Sequence, residues 1–339
     1  MAMRRPLVLL LVLVVLLGGG SFALWSWTEA QLQAGFDAWA ANAAAQGWQV
    51  RTAAPRRAGW PFAAELAFAD LTLSAGPDLL PGGAEWRAQR AVLHLSPLAP
   101  EVAELRLQGV QRVRAFGSAT LPFTAGTLTL RFPLRGPMVA QIEGRRLRFD
   151  APAEGMTIGL LTGSVRPGAA LAVDLSAEAV ALPPPPAPQP ALGGRIASAT
   201  VSLSLEGPLP PPSPDVTARL RAWQRGGGLL RVRHLAMGWG PLGVTGSAAL
   251  GLDAGLQPRG TGTLRVVGYD AALSALAADG AVTPQAAQAV RAVLALLSRT
   301  PEAGGVPEVD LPLALADGVL RVGRIPVGRV PHFDWSAAR

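Results

Sequence analysis

Side chains able to do nucleophilic, acid–base or metal chemistry are scarce in this chain of 339 residues. Cysteine is absent, which excludes disulfides, a thiolate nucleophile and cysteine-bound metal. The three histidines, His94, His234 and His332, are far apart in sequence, whereas a metal centre needs several ligands at matched spacing. The sequence therefore predicts no metal site, and it favours isolated surface or half-buried histidines.

Catalytic and cofactor-binding motifs are also missing. The chain contains no G-x-S-x-G motif, no Walker loop and no G-x-G-x-x-G that opens a helix. Gly226-Gly227-Gly228 precedes a strand pattern, so it cannot offer a phosphate the N-terminus of a helix. The acidic residues are mostly isolated, and only carboxylates from distant positions could form the pair that a hydrolase uses. We predict no catalytic residue and no cofactor; the alternative is an envelope hydrolase whose site is assembled from distant residues.

The charge of the chain is strongly basic. Its formal net charge is +7, and all 30 basic residues are arginine. The arginines are scattered rather than gathered in a stripe, which disfavours nucleic acid as a partner. Anionic phospholipid headgroups are the more natural counterpart for a tethered basic body. The competing interpretation is that the arginines lie on the solvated outer faces of strands.

The N-terminal segment, residues 1–27, is predicted to be a membrane anchor. Its apolar stretch is interrupted only by Gly18-Gly19-Gly20-Ser21. The stretch runs from Leu7 to Leu24. At about 1.5 Å per residue, a helix of these 18 residues crosses most of a hydrocarbon core about 30 Å thick. Basic residues precede the stretch and the next one is Arg51, which predicts a cytoplasmic N-terminus and a periplasmic body. The residues that define the anchor are Arg4, Arg5, Leu7, Leu24, Trp25 and Trp27.

A cleaved signal peptide is the alternative to a retained anchor. Leu7 to Leu17 has the length of a signal-peptide apolar region, and Ser21-Phe22-Ala23 resembles a cleavage site. The tryptophan pair and the helical pattern that follows favour the retained, single-pass anchor in the inner membrane. Both interpretations export the body to the periplasm.

Residues 28–182 are predicted to form a juxtamembrane helix and the first β-rich half of the body. Thr28 to Gln46 has helical spacing of its apolar residues, and Gly47 ends it as a C-cap glycine would. From Trp48 onward, apolar residues alternate with polar or small ones, which is typical of antiparallel strands with one apolar and one solvated face. The alternating apolar residues include Leu66 and Phe68, Leu71 and Leu73, Leu105 and Leu107, Leu128 and Leu130, and Leu171, Val173 and Leu175.

The C-terminal part repeats this organisation after a proline-rich segment. Residues 183–214 are predicted to be a linker with one short strand, and residues 215–339 a second β-rich half with two helices. Asp317-Gly318 is a strong hairpin signal. The predicted elements are strands at Leu229 to Met237, Gly243 to Leu252, Gly260 to Val267, Val309 to Leu315 and Val319 to Val327, and helices at Tyr269 to Ala278 and Thr283 to Ser298.

Three patches resemble a known family: Gly47-Trp48 followed by Ala58-Gly59-Trp60-Pro61-Phe62, the Gly260 to Gly280 unit, and the segment VPEVDLPLALADGVLRVGRIPVGRVP. With the anchor and the helix after it, they resemble the domain-of-unknown-function 2125 family of alphaproteobacterial envelope proteins. That family has no established activity, so the resemblance brings no catalytic residues. The repeated strands behind one anchor also look, more loosely, like AsmA-like proteins, which implies phospholipid traffic in the envelope.

The fold class that these patterns predict is mainly β (α+β): an N-terminal transmembrane helix, antiparallel β-meander sheets and a few short helices. A sheet with one apolar face must cover it with helices, a second sheet or a ligand. One interpretation is a curved sheet whose open groove, lined by residues such as Leu105, Leu107, Leu128 and Leu130, binds acyl chains. The other is a closed sandwich with a dry core, which would leave only scaffolding.

The local feature that most resembles a motif is Gly59-Trp60-Pro61-Phe62. Trp60 and Phe62 could form an aromatic lip at the membrane or at the mouth of a groove. A turn that buries both rings is the simpler interpretation. We therefore expect a non-catalytic envelope protein whose partners are the inner membrane, phospholipid or another apolar ligand, and other envelope proteins.

Overall fold

The computed structural model describes residues 4–76, 79–80, 82–96, 98–115, 118–136, 139–183, 192–208, 215–280, 282–299, 306–333 and 335. Side chains are described within these ranges except for residues 4–15 and 216. The described residues form four helices and 18 strands. The fold is mainly β, as the sequence predicts.

One long helix precedes the sheet, and three short ones follow later in the chain. Helix α1 (Arg4–Ala45) runs without interruption through the glycines at positions 18–20 and continues to the turn at Gly47. The other helices are α2 (Val216–Arg225), α3 (Tyr269–Ala278) and α4 (Pro284–Leu297). The side chains of Asp215 and Thr283 cap α2 and α4 by accepting hydrogen bonds from backbone N–H groups.

The strands follow the predicted period of two over most of the chain. They are β1 (Trp48–Arg51), β2 (Arg56–Ala58), β3 (Ala64–Ala75), β4 (Ala84–Leu95), β5 (Val102–Ala115), β6 (Leu121–Thr124), β7 (Thr127–Pro133), β8 (Ala140–Phe149), β9 (Thr157–Arg166), β10 (Leu171–Ala181), β11 (Arg195–Glu206), β12 (Leu229–Trp239), β13 (Leu242–Leu252), β14 (Pro258–Val267), β15 (Ser298–Arg299), β16 (Glu308–Ala316), β17 (Val319–Val322) and β18 (Ile325–Arg329).

All the described strands belong to one antiparallel sheet, and they follow each other as a meander. β1 and β2 pair with two parts of β3 and form the first edge. The ladder continues through β4 and β5, through β6 and β7 side by side with β8, and then strand by strand to β14. β14 pairs with β16, which is followed by β17 and the last edge strand β18.

Two local predictions are corrected by this topology, and one helix was not predicted. The strand inside the predicted linker, residues 183–214, is not short: it spans Arg195–Glu206, and its residue Arg195 pairs with Ala181 of β10, so the sheet continues across this part of the chain. Residues 319–327 are not one strand, because the chain turns at Gly323 between β17 and β18. Helix α2 was missed, although Asp215 as an N-cap and Gly226 at its end are recognisable helix signals.

Helix α1 packs across the apolar face of the first strands. Its residue Phe36 lies over Phe68 of β3, with ring centroids 4.4 Å apart. Leu32 of the same helix is buried in this cluster, and Trp25 packs against it. The largest cluster of buried residues in the described structure therefore lies between α1 and strands β3 to β7. The apolar side of the predicted juxtamembrane helix thus packs on the sheet.

The N-terminal part of α1 extends away from this cluster. In the described part of the chain, no helix is both long enough and apolar enough to cross a membrane. The side chains of Arg4, Arg5 and Leu7 lie outside the described residues, whereas Leu24, Trp25 and Trp27 lie within them. The transmembrane segment stays a prediction.

Glu29 is a buried charge at the point where α1 meets β2. Its side chain is fully buried, and Oε2 lies 3.7 Å from Nε of Arg57. Neither carboxylate oxygen has a hydrogen bond of normal geometry. Burial raises the pKa of Glu29, and the charge of Arg57 and the backbone of Ala58 offset only part of that rise. The carboxylate therefore weakens the joint between helix and sheet when it is ionised.

The packing of α1 predicts a large cost for truncating Phe68. We expect Phe68→Ala to lower the free energy of unfolding by about 3–5 kcal/mol, because it leaves a cavity beneath Phe36. Phe62→Ala is the matched control, since that ring is exposed, and it should change stability by less than about 0.5 kcal/mol. Urea unfolding of the two full-length variants measures both effects, and equal losses would contradict the packing described here.

Replacing the buried carboxylate of Glu29 should stabilise the protein by an amount that depends on pH. Because the pKa of Glu29 is higher in the folded than in the unfolded chain, its destabilising effect is complete above the folded pKa. It disappears as the pH falls through the ordinary value of 4.5. Glu29→Gln should therefore raise the melting temperature at neutral pH and have a smaller effect in acid. Asp37→Asn, on the exposed side of α1, is the control; a gain at neutral pH from both variants alike would argue against burial as the cause.

Candidate functional site

The two faces of the sheet differ sharply in chemistry. One row of register partners crosses it from β3 to β16 and is entirely apolar or glycine. At about 4.8 Å per strand, this row of twelve strands is about 53 Å wide. Its members are Leu66, Leu93, Leu105, Leu130, Ile142, Gly163, Leu175, Val201, Leu235, Gly246, Leu264 and Leu311.

The neighbouring row, which points to the opposite face, is polar. It begins with Glu65 and continues through charged residues, hydroxyls and an amide as far as β12. The prediction of strands with one apolar and one solvated face is thus confirmed. The apolar sides of the strands in these rows all lie on the same face of the sheet. The members of the polar row are Glu65, His94, Glu104, Arg131, Gln141, Ser164, Asp174, Ser202 and His234.

The apolar face is filled over the first half of the sheet. Leu107 and Leu128 are buried, and Leu105 and Leu130 pack against the same cluster beneath α1. The prediction that these four leucines line an open groove is therefore wrong. Alternation along a strand identifies the apolar side, but it does not show which part of that side a helix covers.

The apolar face is open over part of the second half of the sheet. Val165, Leu175 and Leu235, on β9, β10 and β12, are exposed large hydrophobic residues. Other parts of these strands are covered, since Ile158 of β9 lies in a second buried cluster and Val309 of β16 is fully buried. The total accessible surface, 20524 Å², is well above the roughly 13,000 Å² of a compact globule of this mass. The extended α1 and the exposed patch on β9, β10 and β12 both contribute to this excess.

Glycines on this face let large neighbours close over it. A Cβ atom at Gly163 would lie 2.7 Å from a methyl of Leu175 and 2.8 Å from a methyl of Ile142. A Cβ at Gly246 would lie 2.8 Å from the carbonyl oxygen of Thr263. A side chain at Gly163 would displace these methyl groups, whereas at Gly246 it would clash with the backbone, so the sheet depends on glycine at position 246.

The polar face is held by arginine–carboxylate pairs between strands. In the first half, Nδ1 of His94 lies 2.9 Å from Glu65, and Glu104 accepts hydrogen bonds from Arg106 and Arg131. Partial burial would raise the pKa of Glu104, but the hydrogen bonds and charges of the two arginines outweigh it and hold the pKa below its usual range. His94 is half-buried, but it is not isolated, because it contacts Glu65 and lies in the polar row.

Similar pairs continue on the second half of this face. Arg231 binds both carboxylate oxygens of Glu206, at 2.9 and 3.2 Å, and Arg265 binds Asp310 at 2.8 Å. The hydrogen bond from Arg265 lowers the pKa of Asp310. These arginines lie on the solvated face of the sheet, which agrees with the interpretation that the basic residues occupy the outer faces of strands.

The predicted lip residues lie beside α1. The ring of Trp60 lies 6.4 Å from that of Phe22 in an edge-to-face arrangement, and Nε1 of Trp25 donates a hydrogen bond to the carbonyl oxygen of Ala58 at 3.4 Å. Trp60, Phe62 and Trp27 are all exposed. The interpretation that this turn buries its two rings is therefore wrong.

One depression is lined by acids and a histidine from three loops that are distant in sequence. It has a volume of about 400 Å³, and its lining includes Asp253, Asp317 and His332. Asp253 already accepts a hydrogen bond from the backbone of Gln257 at 2.8 Å. Within the described ranges, no group of three or more acidic and histidine side chains is close enough to hold a metal ion. His234 lies on the polar face opposite Ser202 rather than in this depression.

Comparison with known proteins identifies the family. The family model described as an uncharacterized protein conserved in bacteria, domain of unknown function 2125, matches residues 25–331. No curated protein and no solved structure matches the chain. The match begins at Trp25, where α1 meets the body, and extends beyond β18, so it includes the whole described sheet. The chain therefore belongs to the domain-of-unknown-function 2125 family, as its sequence resemblance predicts.

Proposed function

We propose that this chain is an envelope protein, anchored in the inner membrane by residues 1–27, whose periplasmic sheet binds the acyl chains of phospholipid. It acts by binding and not by catalysis. The observation that carries the proposal is the open part of the apolar face from β9 to β12, with Leu175 and Leu235 exposed on it. A soluble protein rarely leaves so continuous an apolar surface without a partner.

The chemistry of this face suits an acyl chain better than a polar ligand. The row that crosses it from Leu175 to Leu311 contains only aliphatic side chains and glycine, so it offers no side-chain hydrogen bond. Burying a methylene group against such a surface contributes about 0.8 kcal/mol. A lipid with its tail on the apolar face and its headgroup in water would satisfy both parts of the molecule.

The anchor is supported by the sequence and by the continuity of α1. The apolar stretch and the segment that packs on β3 lie in one uninterrupted helix, Arg4–Ala45. Trp25 and Trp27 stand at the junction, where aromatic residues favour the membrane–water interface. The body would then meet lipid directly outside the bilayer that holds it.

Photocrosslinking can test the lipid-binding face. A benzophenone amino acid at position 175 or 235 of the full chain should form covalent adducts with phospholipid in bacterial membranes, detected by mass spectrometry after extraction. The same probe at Thr245, exposed on the opposite face of β13, is the matched control. We expect at least a tenfold excess of lipid adduct at the two apolar positions; equal labelling of both faces, or none, would refute the proposal.

A charge introduced on the apolar face should reduce lipid binding, whereas the same charge on the polar face should not. Leu235→Glu removes apolar contact area and adds an ion that cannot be buried against an acyl chain, so the lipid recovered with the purified chain should fall several-fold. Thr245→Glu adds the same charge to the solvated face and should leave lipid recovery unchanged. Native mass spectrometry of both variants measures the bound lipid, and a loss from Thr245→Glu of similar size would speak against a specific face.

A hydrolase remains the second candidate because of the depression that contains Asp253, Asp317 and His332. Asp317 is the side chain to change, since Asp253 already caps its own turn. If the chain hydrolyses labelled peptidoglycan or phospholipid, Asp317→Asn should abolish that hydrolysis while Asp279→Asn leaves it intact. Activity that survives Asp317→Asn would eliminate this site as the origin of hydrolysis.

A further inference from the structure

The two ends of the strands in the first half of the sheet are not equivalent. We call the end at which α1 meets the turn of residues 59–63 the proximal end, and the opposite end the distal end. At the proximal end, Trp25 bonds to Ala58 and Phe22 lies against Trp60. At the distal end, Gly47, which follows α1, lies close to Leu79. Helix α1 therefore crosses the sheet from proximal to distal, and its N-terminal part leaves the body at the proximal end.

The antiparallel meander brings alternate turns to this same end. Ala64 pairs with Leu95, so the turn of residues 59–63 lies beside the turn that contains residues 98–101. Val102 pairs with Pro133, and the backbone N–H of Leu134 donates to the carbonyl oxygen of Glu101 at 2.8 Å. The third turn, which begins at Leu134, is thus next to the second. Three turns that are separated in sequence therefore form one row, whose first member contacts α1.

Each of these turns exposes a large apolar side chain at its tip. Phe62 is 85% exposed and Leu98 is 97% exposed, and Trp60 and Leu134 are 51% and 47% exposed. We call these four residues the tip row. In the turns that join the same strands at the distal end, the described residues include no exposed large hydrophobic side chain, and Leu79 there is buried. Because exposed apolar side chains occur in the proximal turns and not in the described residues of the distal turns, they do not reflect a general tolerance of this sheet for apolar residues in its turns.

Basic side chains surround the tip row. Arg56 and Arg57 are exposed on β2 directly before the turn with Trp60, and Arg135 is exposed directly after Leu134. Glu101 is the exposed acid in the same region, and Glu29 lies beside Arg57 but is buried. Apolar tips with arginines behind them match the boundary between acyl chains and anionic headgroups.

We propose that the tip row is a second membrane contact, which seats the proximal end of the sheet on the surface of an anionic phospholipid bilayer. Phe62 and Leu98 enter the boundary between headgroups and acyl chains, Trp60 lies at headgroup level, and the arginines contact phosphates. The inference rests on the proposed anchor, because α1 delivers this end of the sheet to the membrane. It fixes the orientation of the body, with its strands standing away from the bilayer and the open apolar face beginning near the lipid surface.

Site-specific labelling of the full chain can test this contact, because the natural sequence contains no cysteine. Phe62→Cys and Leu98→Cys place a nitroxide spin label in the tip row, and Ala119→Cys places one in an exposed distal turn as the matched control. All three positions are exposed, so the substitutions remove little packing. The protein is reconstituted into vesicles of phosphatidylethanolamine and phosphatidylglycerol, and carbonate washing establishes that it is embedded.

We expect the labels at 62 and 98 to be several-fold more accessible to oxygen than to a water-soluble nickel complex, and the label at 119 to show the reverse. Tip labels as accessible to nickel as position 119, in protein that resists carbonate, would overturn the tip-row contact and leave the anchor standing. Tip labels shielded from both reagents would indicate contact between copies and would also overturn it. Release of the protein by carbonate would overturn the anchor itself and this inference with it.

Discussion

The structure depends on one constraint: its very long antiparallel sheet is apolar on one face, and the described residues form no second sheet that could pack against that face. The row from Leu66 to Leu311 crosses twelve strands without a polar side chain, while the adjacent row, from Glu65 to His234, is polar throughout. Burying apolar surface stabilises such a sheet only where something covers it. Helix α1 covers the first strands, and the core of the protein lies beneath it. Among the described residues beyond it the cover is incomplete: Val309 of β16 is fully buried, whereas Leu175 and Leu235 are exposed.

The strands beyond the reach of α1 are held together in other ways. Backbone pairing is continuous from β8 to β14, and arginine–carboxylate pairs join neighbouring strands on the polar face, such as Arg231 with Glu206 and Arg265 with Asp310. Exposed pairs of this kind contribute little individually. They specify register nonetheless, because a slip by one residue would place arginines on the apolar face. At the last edge, β18 is five residues long and contains Pro326, which discourages pairing with another chain.

Helix α1 links the proposed membrane anchor to the folded body. The same helix carries the apolar N-terminal stretch, the tryptophans at its junction with the body, and Leu32 and Phe36 in the core. A stable joint would normally avoid a buried carboxylate, yet Glu29 lies at this place with Arg57 as an imperfect partner. The position of α1 across the sheet also decides which end of the strands faces the anchor. Orientation and stability of the body therefore share one element.

The sequence by itself determined the elements and their two faces, because the period of the apolar residues is a local property of the chain. The alternation of Leu66 and Phe68 with alanines, the cap at Thr283 and the family resemblance all needed only near neighbours. The sequence did not reveal α2, which follows a proline cluster, or the turn at Gly323 that divides the last strand. One of its two interpretations lined a groove with Leu105 to Leu130, where the structure has its core. Only the tertiary structure decided which apolar residues stay uncovered and which end of the strands faces the anchor, since both follow from the path of α1 over strands distant in sequence.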